Sequence, residues 1–338
     1  MTISAFDRFI LKQNLVWAWR KAAFLYRRID GLQNQEHVAE FDLDLERNLD
    51  EIAKQIAAGQ YELEPIRLLP QPKASDGDKV RARQSFQISV RDQVTWIALV
   101  NAIGPTLDRK MRSWSYGHRL HRSAWIPDGE RNDRRTQIGP YRHSGAHLFR
   151  RFRQSWPLYR RHIALAARSL APGGIDPENL DEGERRVLAT QLDEKSPDRL
   201  EYLAPGYFGR TSGSAYYVGF DLKTFYPGIC SEDLKSAFRK HSTEVDADPR
   251  LILAIEQLLN FKVTVQGLSR ELRDSVEPST KSGAFPALPT GLMVAGFLSN
   301  VAMLSVDDIV ASEVRDRRIA HFRFVDDHTC IGQDFDSL

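Results

Sequence analysis

The chain has 338 residues, 42% of them hydrophobic and 27% charged, which suggests about two domains at roughly 150 residues each and excludes a disordered tail, a disulfide miniprotein and a fibrous repeat. Two cysteines, Cys230 and Cys330, are too few for a disulfide framework or a Cys-rich zinc site and read as plain buried thiols of a reducing compartment. No run reaches the roughly 18 apolar residues of a membrane span, and Asp7, Arg8 and Lys12 interrupt the place where a signal peptide keeps its apolar core, so the expected location is cytoplasmic, without a membrane partner.

Residues 5–28 place apolar side chains at helical spacing between basic ones, which predicts one or two amphipathic helices closed by Gly31. A second helix is expected over 38–58, acidic at its start and ended by Gly59. The segments 62–69 and 80–89 read as two strands joined by a turn at Ala74, Ser75, Asp76, Gly77 and Asp78, a hairpin with Lys73, Lys79, Arg81 and Arg83 near its tip. Residues 91–112 return to helix, with Gly104 and Pro105 expected to bend or divide it.

The net charge of +2 hides an uneven distribution, because residues 109–168 hold fifteen basic side chains against three acidic ones. Fourteen of the fifteen are Arg, whose planar fork suits phosphate, and Trp114, Trp125, Phe149, Phe152, Trp156 and Tyr159 lie between them as stacking surfaces. Arg150, Arg151, Arg153, Arg160 and Arg161 therefore stand as candidates for a nucleic-acid backbone, against the plainer reading of a solvated basic face. Residues 171–215, rich in Pro, Gly and acid, read as a connection with one short helix over 177–192. Beyond them, 216–221 is a strand, 231–241 and 249–260 are helices, 291–314 is one long helix, and 319–324 with 328–332 form a hairpin around Val325, Asp326 and Asp327.

Asp221 ends the strand YYVGFD, where Val218 and Phe220 are expected to be buried and a carboxylate is costly unless something pairs with it. Asp326 and Asp327 adjoin at a hairpin tip flanked by Phe322, Phe324 and Ile331, where two like charges repel and a divalent cation is the simplest compensation. If the two strands lie side by side, Asp221 and Asp326 converge. Between them, Pro289, Thr290 and Gly291 form a turn opening a helix whose Ala295, Gly296 and Ser299 permit close approach.

In this order, FDLKTFYPGI, LPTGLMVAGFLSN and FRFVDD resemble the first catalytic motif, the proline-glycine motif and the second catalytic motif of the reverse transcriptases. Upstream, GQYELEPIRLLPQPK, RARQSFQISVRDQV and WSYGHRL are similar to the fingers region of the bacterial enzymes. The resemblance covers residues 14–332 and is nearest to the bacterial phage-defence lineage, the abortive-infection and unknown-group enzymes.

It implies an α+β right-hand polymerase: helical and hairpin fingers over 1–120, a basic, partly helical insertion over 121–214, and a palm with an antiparallel sheet over 215–338. The implied activity is addition of dNTPs to a primer 3′-OH by two-metal phosphoryl transfer in antiviral defence. Asp221, Asp326 and Asp327 match the catalytic acids. Asp221, Asp326 and the Leu222 carbonyl match the ligands of two Mg²⁺ ions, with Mn²⁺ as an alternative. Lys73 and Arg83 match the triphosphate grip, Tyr226 the aromatic that excludes a 2′-hydroxyl, and Pro289, Thr290 and Gly291 the nucleotide-supporting turn; Arg91 is a weaker candidate that braces the fold.

Two features depart from the family. Thr290 stands where many members have Gln, and the sequence ends eleven residues after Asp327, where the thumb would follow. The thumb is expected from a longer protein, from the basic stretch, or from a partner: a non-coding RNA, a second protein or self-association. RNA, DNA and dNTPs are the expected ligands. Template-independent or protein-primed synthesis, and a non-catalytic RNA-binding or assembly role, are the competing readings.

Overall fold

Short capped helices open the chain. In the computed structural model, which describes residues 3–28, 34–73, 81–125, 137–171, 174–191, 196–204, 206–209, 214–245 and 248–338, the Ser4 hydroxyl accepts the Asp7 N–H at 2.9 Å and starts α1 (Ala5–Ile10). Two compact units follow from the chain's contacts: residues 1–107, 143–148 and 224–302 form the first, and 108–142, 149–223 and 303–338 the second.

In the first unit, α2 (Lys12–Tyr26) buries Leu15, Ala18, Trp19 and Ala22 at helical spacing. The helix expected over 38–58 is two, α3 (Gln35–Leu43) and α4 (Leu45–Ala57), because Asp44 leaves the helical conformation between them. The expected hairpin is antiparallel but fragmented. β1 (Ile66–Leu68) and β2 (Gln71–Pro72) pair with β4 (Phe86–Gln87) and β3 (Ala82–Arg83) in the registers Arg67↔Gln87 and Gln71↔Arg83. Its turn, with Lys79, lies outside the described residues.

The next helix, α5 (Val90–Lys110), runs unbroken through Pro105. Full burial of Val94, Ile97, Leu99, Ile103 and Leu107 outweighs the hydrogen bond that proline removes. α8 (Phe225–Gly228), α9 (Ser231–Val245) and α10 (Pro249–Leu258) follow later in the chain, then β8 (Lys262–Thr264), α11 (Arg270–Asp274), β9 (Val276–Glu277) and β10 (Gly283–Ala284). β10, β8, β1 and β4 make one sheet in that order, and β2, β3 and β9 another. The long helix expected from 291 starts later, as α12 (Ala295–Ala302), and breaks at Met303 before α13 (Leu304–Asp316).

The second unit is built on the antiparallel sheet of β7 (Tyr216–Asp221), β11 (Ala320–Phe324) and β12 (Asp327–Gly332), in the order β11-β12-β7. Residues 114–116 extend the β11 edge, since the Arg323 N–H donates to the Trp114 carbonyl and the Tyr116 N–H to the Arg323 carbonyl, both at 2.9 Å. A ribbon of β5 (Arg122–Trp125) and β6 (Gln137–Tyr141), then α6 (Phe152–Ser169) and α7 (Glu182–Gln191), complete the unit. Its core gathers Tyr116, Tyr159, Leu165, Tyr202 and Phe322. β7 departs from expectation: Val218 is half-buried and Phe220 is 46% exposed, because β7 is the free edge of the sheet.

Candidate active site

The register of the second unit's sheet assembles the carboxylates. Phe324 pairs with Asp327, which leaves Val325 and Asp326 as a two-residue loop and makes Asp327 the first residue of β12, where the sequence suggested a turn. Across the next ladder Asp327 faces Asp221, and the Leu222 N–H donates to the Asp326 carbonyl at 3.2 Å. Directly opposed residues in antiparallel strands have Cα atoms only about 4.5–5.5 Å apart. Burial first, then the charges of Asp221 and Asp327, push the half-buried Asp326 carboxyl above the usual carboxylate range, against the pull of its own backbone N–H. Among the described residues, no Lys or Arg forms an ion pair with any of the three acids.

The hairpin tip is held by residues that the sequence did not single out. Val325 has φ +64°, a left-handed conformation that a β-branched residue adopts only when its surroundings impose it. One wall is Gly117 of WSYGHRL, where a Cβ would lie 2.4 Å from Val325 Cγ2. The other constraint is Arg323, fully buried, whose Nη1 donates to the Val325 carbonyl at 3.3 Å while Nη2 donates to Asp307 Oδ2 at 2.6 Å. Arg323 thus ties the tip to α13. The local signal was present, since an Arg between Phe322 and Phe324 in an apolar strand needs a carboxylate partner. Which acid supplies it depends on tertiary contacts.

Asp221 and Asp327, opposed across the ladder, and the adjoining Asp326 offer hard oxygen donors of the kind a divalent metal takes. Among the described residues, no group of three His, Cys, Asp or Glu side chains already converges as a chelate.

The other sequence candidates fall in the first unit. Lys73 and Arg83 are both exposed; Arg83 pairs with Gln71, and the Lys73 N–H donates to the Arg81 carbonyl at 3.0 Å, so the two cations share one face of the β2–β3 ribbon. Arg91 lies 4.2 Å over the Tyr61 ring and donates to the Glu62 carbonyl at 3.2 Å, a bracing role. Tyr226 is half-buried on α8.

The turn of Pro289, Thr290 and Gly291 is fixed to β4. The Phe86 N–H donates to the Thr290 carbonyl at 2.8 Å, and Gly291 has φ +112° with its missing Cβ facing the Phe86 carbonyl oxygen at 2.2 Å. Gln93, unremarked in the sequence, clamps the same turn: its Nε2 donates to the Gly291 carbonyl and its Oε1 accepts the Met293 N–H, both at 2.8 Å.

The basic segment is not one surface. Arg150, expected on the nucleic-acid face, is corrected to an internal ion pair: its Nη2 lies 3.0 Å from Asp198 Oδ1, both side chains 17% exposed. Burial pushes the Asp198 carboxyl up, but Arg150 outweighs it and holds the group below its ordinary range. Arg119 and Arg122 are likewise drawn in by Asp108 at 3.0 and 3.3 Å. Arg161 is half-buried, with its guanidinium against Gly183. Arg151, Arg153 and Arg160 remain exposed, whereas Arg131, Arg134 and Arg135 lie outside the described residues.

No family model and no curated protein matches the chain. Among solved structures it is similar to a chain of a partial Cas6-RT-Cas1–Cas2 complex, at 13% identity and TM-score 0.38 over 98% of this chain and 39% of that one. A chain of the Cas6-RT-Cas1–Cas2 complex matches at the same identity and score over 24% of its length. Apo telomerase from Candida tropicalis, truncated from its C-terminal domain, matches at 12% identity and TM-score 0.27 over 88% of this chain and 59% of that one. The chain therefore spans less than two thirds of each of these relatives.

Proposed function

We infer that the chain is a reverse-transcriptase-type nucleic-acid polymerase of the bacterial phage-defence kind, which adds dNTPs to a 3′-hydroxyl. The observation that carries this reading is the pairing of Asp221 with Asp327 across β7 and β12, with Asp326 at the adjoining tip and, among the described residues, no Lys or Arg ion-paired to any of the three acids. FDLKTFYPGI, LPTGLMVAGFLSN and FRFVDD, in the order the family has them, support it.

Phosphoryl transfer needs positioning and charge stabilisation more than covalent chemistry. Asp221 and Asp326 would hold Mg²⁺, with the Leu222 carbonyl as a further ligand, and the bound ions would neutralise the charge that develops on the transferred phosphoryl group. Asp327 adds negative potential beside them, and because burial favours the protonated form of Asp326, a proton and a metal ion compete for that carboxyl. Lys73 and Arg83 offer two exposed cations on one ribbon face for a triphosphate. Tyr226 is assigned to sugar selection, and the turn at Pro289, Thr290 and Gly291, clamped by Gln93, to support of the incoming nucleotide.

Incorporation of labelled dNTPs by the purified chain with Mg²⁺ tests the reading. Synthesis that disappears in Asp326→Asn and in Asp221→Asn supports it; equal synthesis by parent and variants overturns it.

A further inference from the structure

Strand parity decides what the carboxylates face. Asp221, Gly219 and Tyr217 alternate onto one side of β7, and their partners Asp327, Thr329 and Ile331 onto the same side of β12. That side is already occupied along most of its length. α6 lies on it, with Tyr159 Oη 2.8 Å from Thr329 Oγ1 and the rings of Phe152 and Trp156 edge-on to Phe324 at 5.7 and 5.1 Å. On the opposite face, β11 is covered by the Arg323–Asp307 tie to α13 and by the packing of the His321 ring against Trp114 at 4.5 Å, whereas Phe220 of β7 stays exposed.

What stays open on the carboxylate side is a groove of about 680 Å³ between α6 and β7, with Asp221 and Asp327 in its lining. One wall is Trp156, Tyr159 and Arg160; the other is Tyr217, 65% exposed. Gly219 shapes it, because a Cβ at that position would meet Tyr217 Oη at 2.9 Å: the Tyr217 ring lies along the strand over the glycine, toward Asp221. On α6, Arg153, Trp156 and Arg160 recur at i, i+3 and i+7, a basic-aromatic-basic strip on one side of the helix, with both Arg side chains exposed.

We propose that this groove holds an unpaired nucleic-acid strand whose end is delivered to the carboxylates, so that the substrate of the site is single-stranded at that point. The proposal deepens the polymerase reading and rests on it for the role of the carboxylates. The groove has the volume of a cleft for one small ligand, enough for a short stretch of one strand. The exposed Tyr217 ring offers a π-face, which only bases free of a partner strand can stack upon, whatever their identity. Arg153 and Arg160 supply the backbone's counter-charge along the helical wall, and the acids at the far end repel phosphate until a cation is bound.

The test uses the full chain without dNTPs, so that no synthesis occurs. Fluorescence anisotropy is measured with a labelled single-stranded DNA of about 12 nucleotides, within the span of one such site, with the same sequence as RNA, and with the DNA annealed as a blunt duplex. The groove predicts that a single strand binds at least about tenfold tighter than the duplex. It also predicts that Tyr217→Ala weakens single-strand binding by roughly 5- to 100-fold while Tyr217→Phe does not, as one lost base stack requires. Arg160→Gln lowers the single-strand salt slope by about 0.7.

Equal or tighter binding of the duplex, or parent affinity in Tyr217→Ala, overturns the proposal. The RNA and DNA arms tell which strand is preferred. Selective single-strand binding without any Mg²⁺-dependent incorporation leaves the groove standing and removes the polymerase reading. Incorporation on a fully paired primer, unchanged in Tyr217→Ala, does the reverse.

Discussion

Gly117→Ala is the smallest perturbation that reaches the carboxylates without touching one. The added Cβ would lie 2.4 Å from Val325 Cγ2 and 3.1 Å from the Val325 nitrogen. Carbon atoms in ordinary contact sit about 3.5–4.0 Å apart, so the tip has to retreat by about 1 Å. Overpacking of this kind costs about 1–3 kcal/mol of stability, or a few degrees of Tm. The retreat is not absorbed locally, because Val325 is already held at φ +64° and its carbonyl is tied to Arg323. Asp326, the next residue, moves with it.

Misplacement of a reacting group by about 1 Å costs roughly 100-fold in rate. Steady-state incorporation should therefore show kcat about 100-fold down with KM for dNTP little changed. Val325→Ala in the same chain removes the 2.4 Å clash and leaves contacts of 3.6 Å to Cβ and 3.1 Å to the backbone nitrogen, so the double variant should recover at least about tenfold of the loss. Parent kcat in Gly117→Ala, or a double variant no faster than the single one, refutes the idea that Gly117 sets the tip.

Other consequences follow from the same geometry. Arg323→Met leaves Asp307, 2% exposed, as an unpaired buried charge and should cost about 3–5 kcal/mol in urea unfolding, most of it recovered by adding Asp307→Leu; an unchanged midpoint in Arg323→Met contradicts this. Because Asp326 binds its proton more tightly folded than unfolded, its ionisation costs stability as pH rises through the raised pKa. Metal-free Asp326→Asn should accordingly melt above the parent at pH 8, with the gap closing below the ordinary carboxylate pKa of about 4; a lower Tm at pH 8 would show that repulsion is not the controlling effect. Tyr226→Ala should raise the ratio of rNTP to dNTP incorporation, and an unmoved ratio would mark Tyr226 as a packing residue only.

Local pattern carried the sequence reading far where the determinants are local. The strand ending at Asp221, the hairpin over 319–332 and the pairing of the two are legible because alternation and turn position fix strand parity. The reading failed where partners are remote. Arg150 looked like one more cation of a basic face until Asp198, 48 residues on, took it inside. Gly117 and Val325 are more than two hundred residues apart, and no periodicity links a glycine to the φ of a distant valine. α5 continuing through Pro105 is likewise decided by packing, which outweighs propensity there. The exposure of Phe220 follows from β7 being an edge strand, a property of sheet order that its own sequence does not carry.

On the proposed function, Asp221 and Asp326 make this chain a metal-dependent nucleotidyl transferase. The most direct measurement incubates the purified protein with each labelled dNTP and Mg²⁺, with and without nuclease pretreatment and added template, beside an Asp326→Asn control of equal fold by circular dichroism. Mg²⁺-dependent product in the parent, abolished by EDTA and absent from Asp326→Asn, is the predicted result. No product under any of these conditions, or product that persists at parent level in Asp326→Asn, would contradict it.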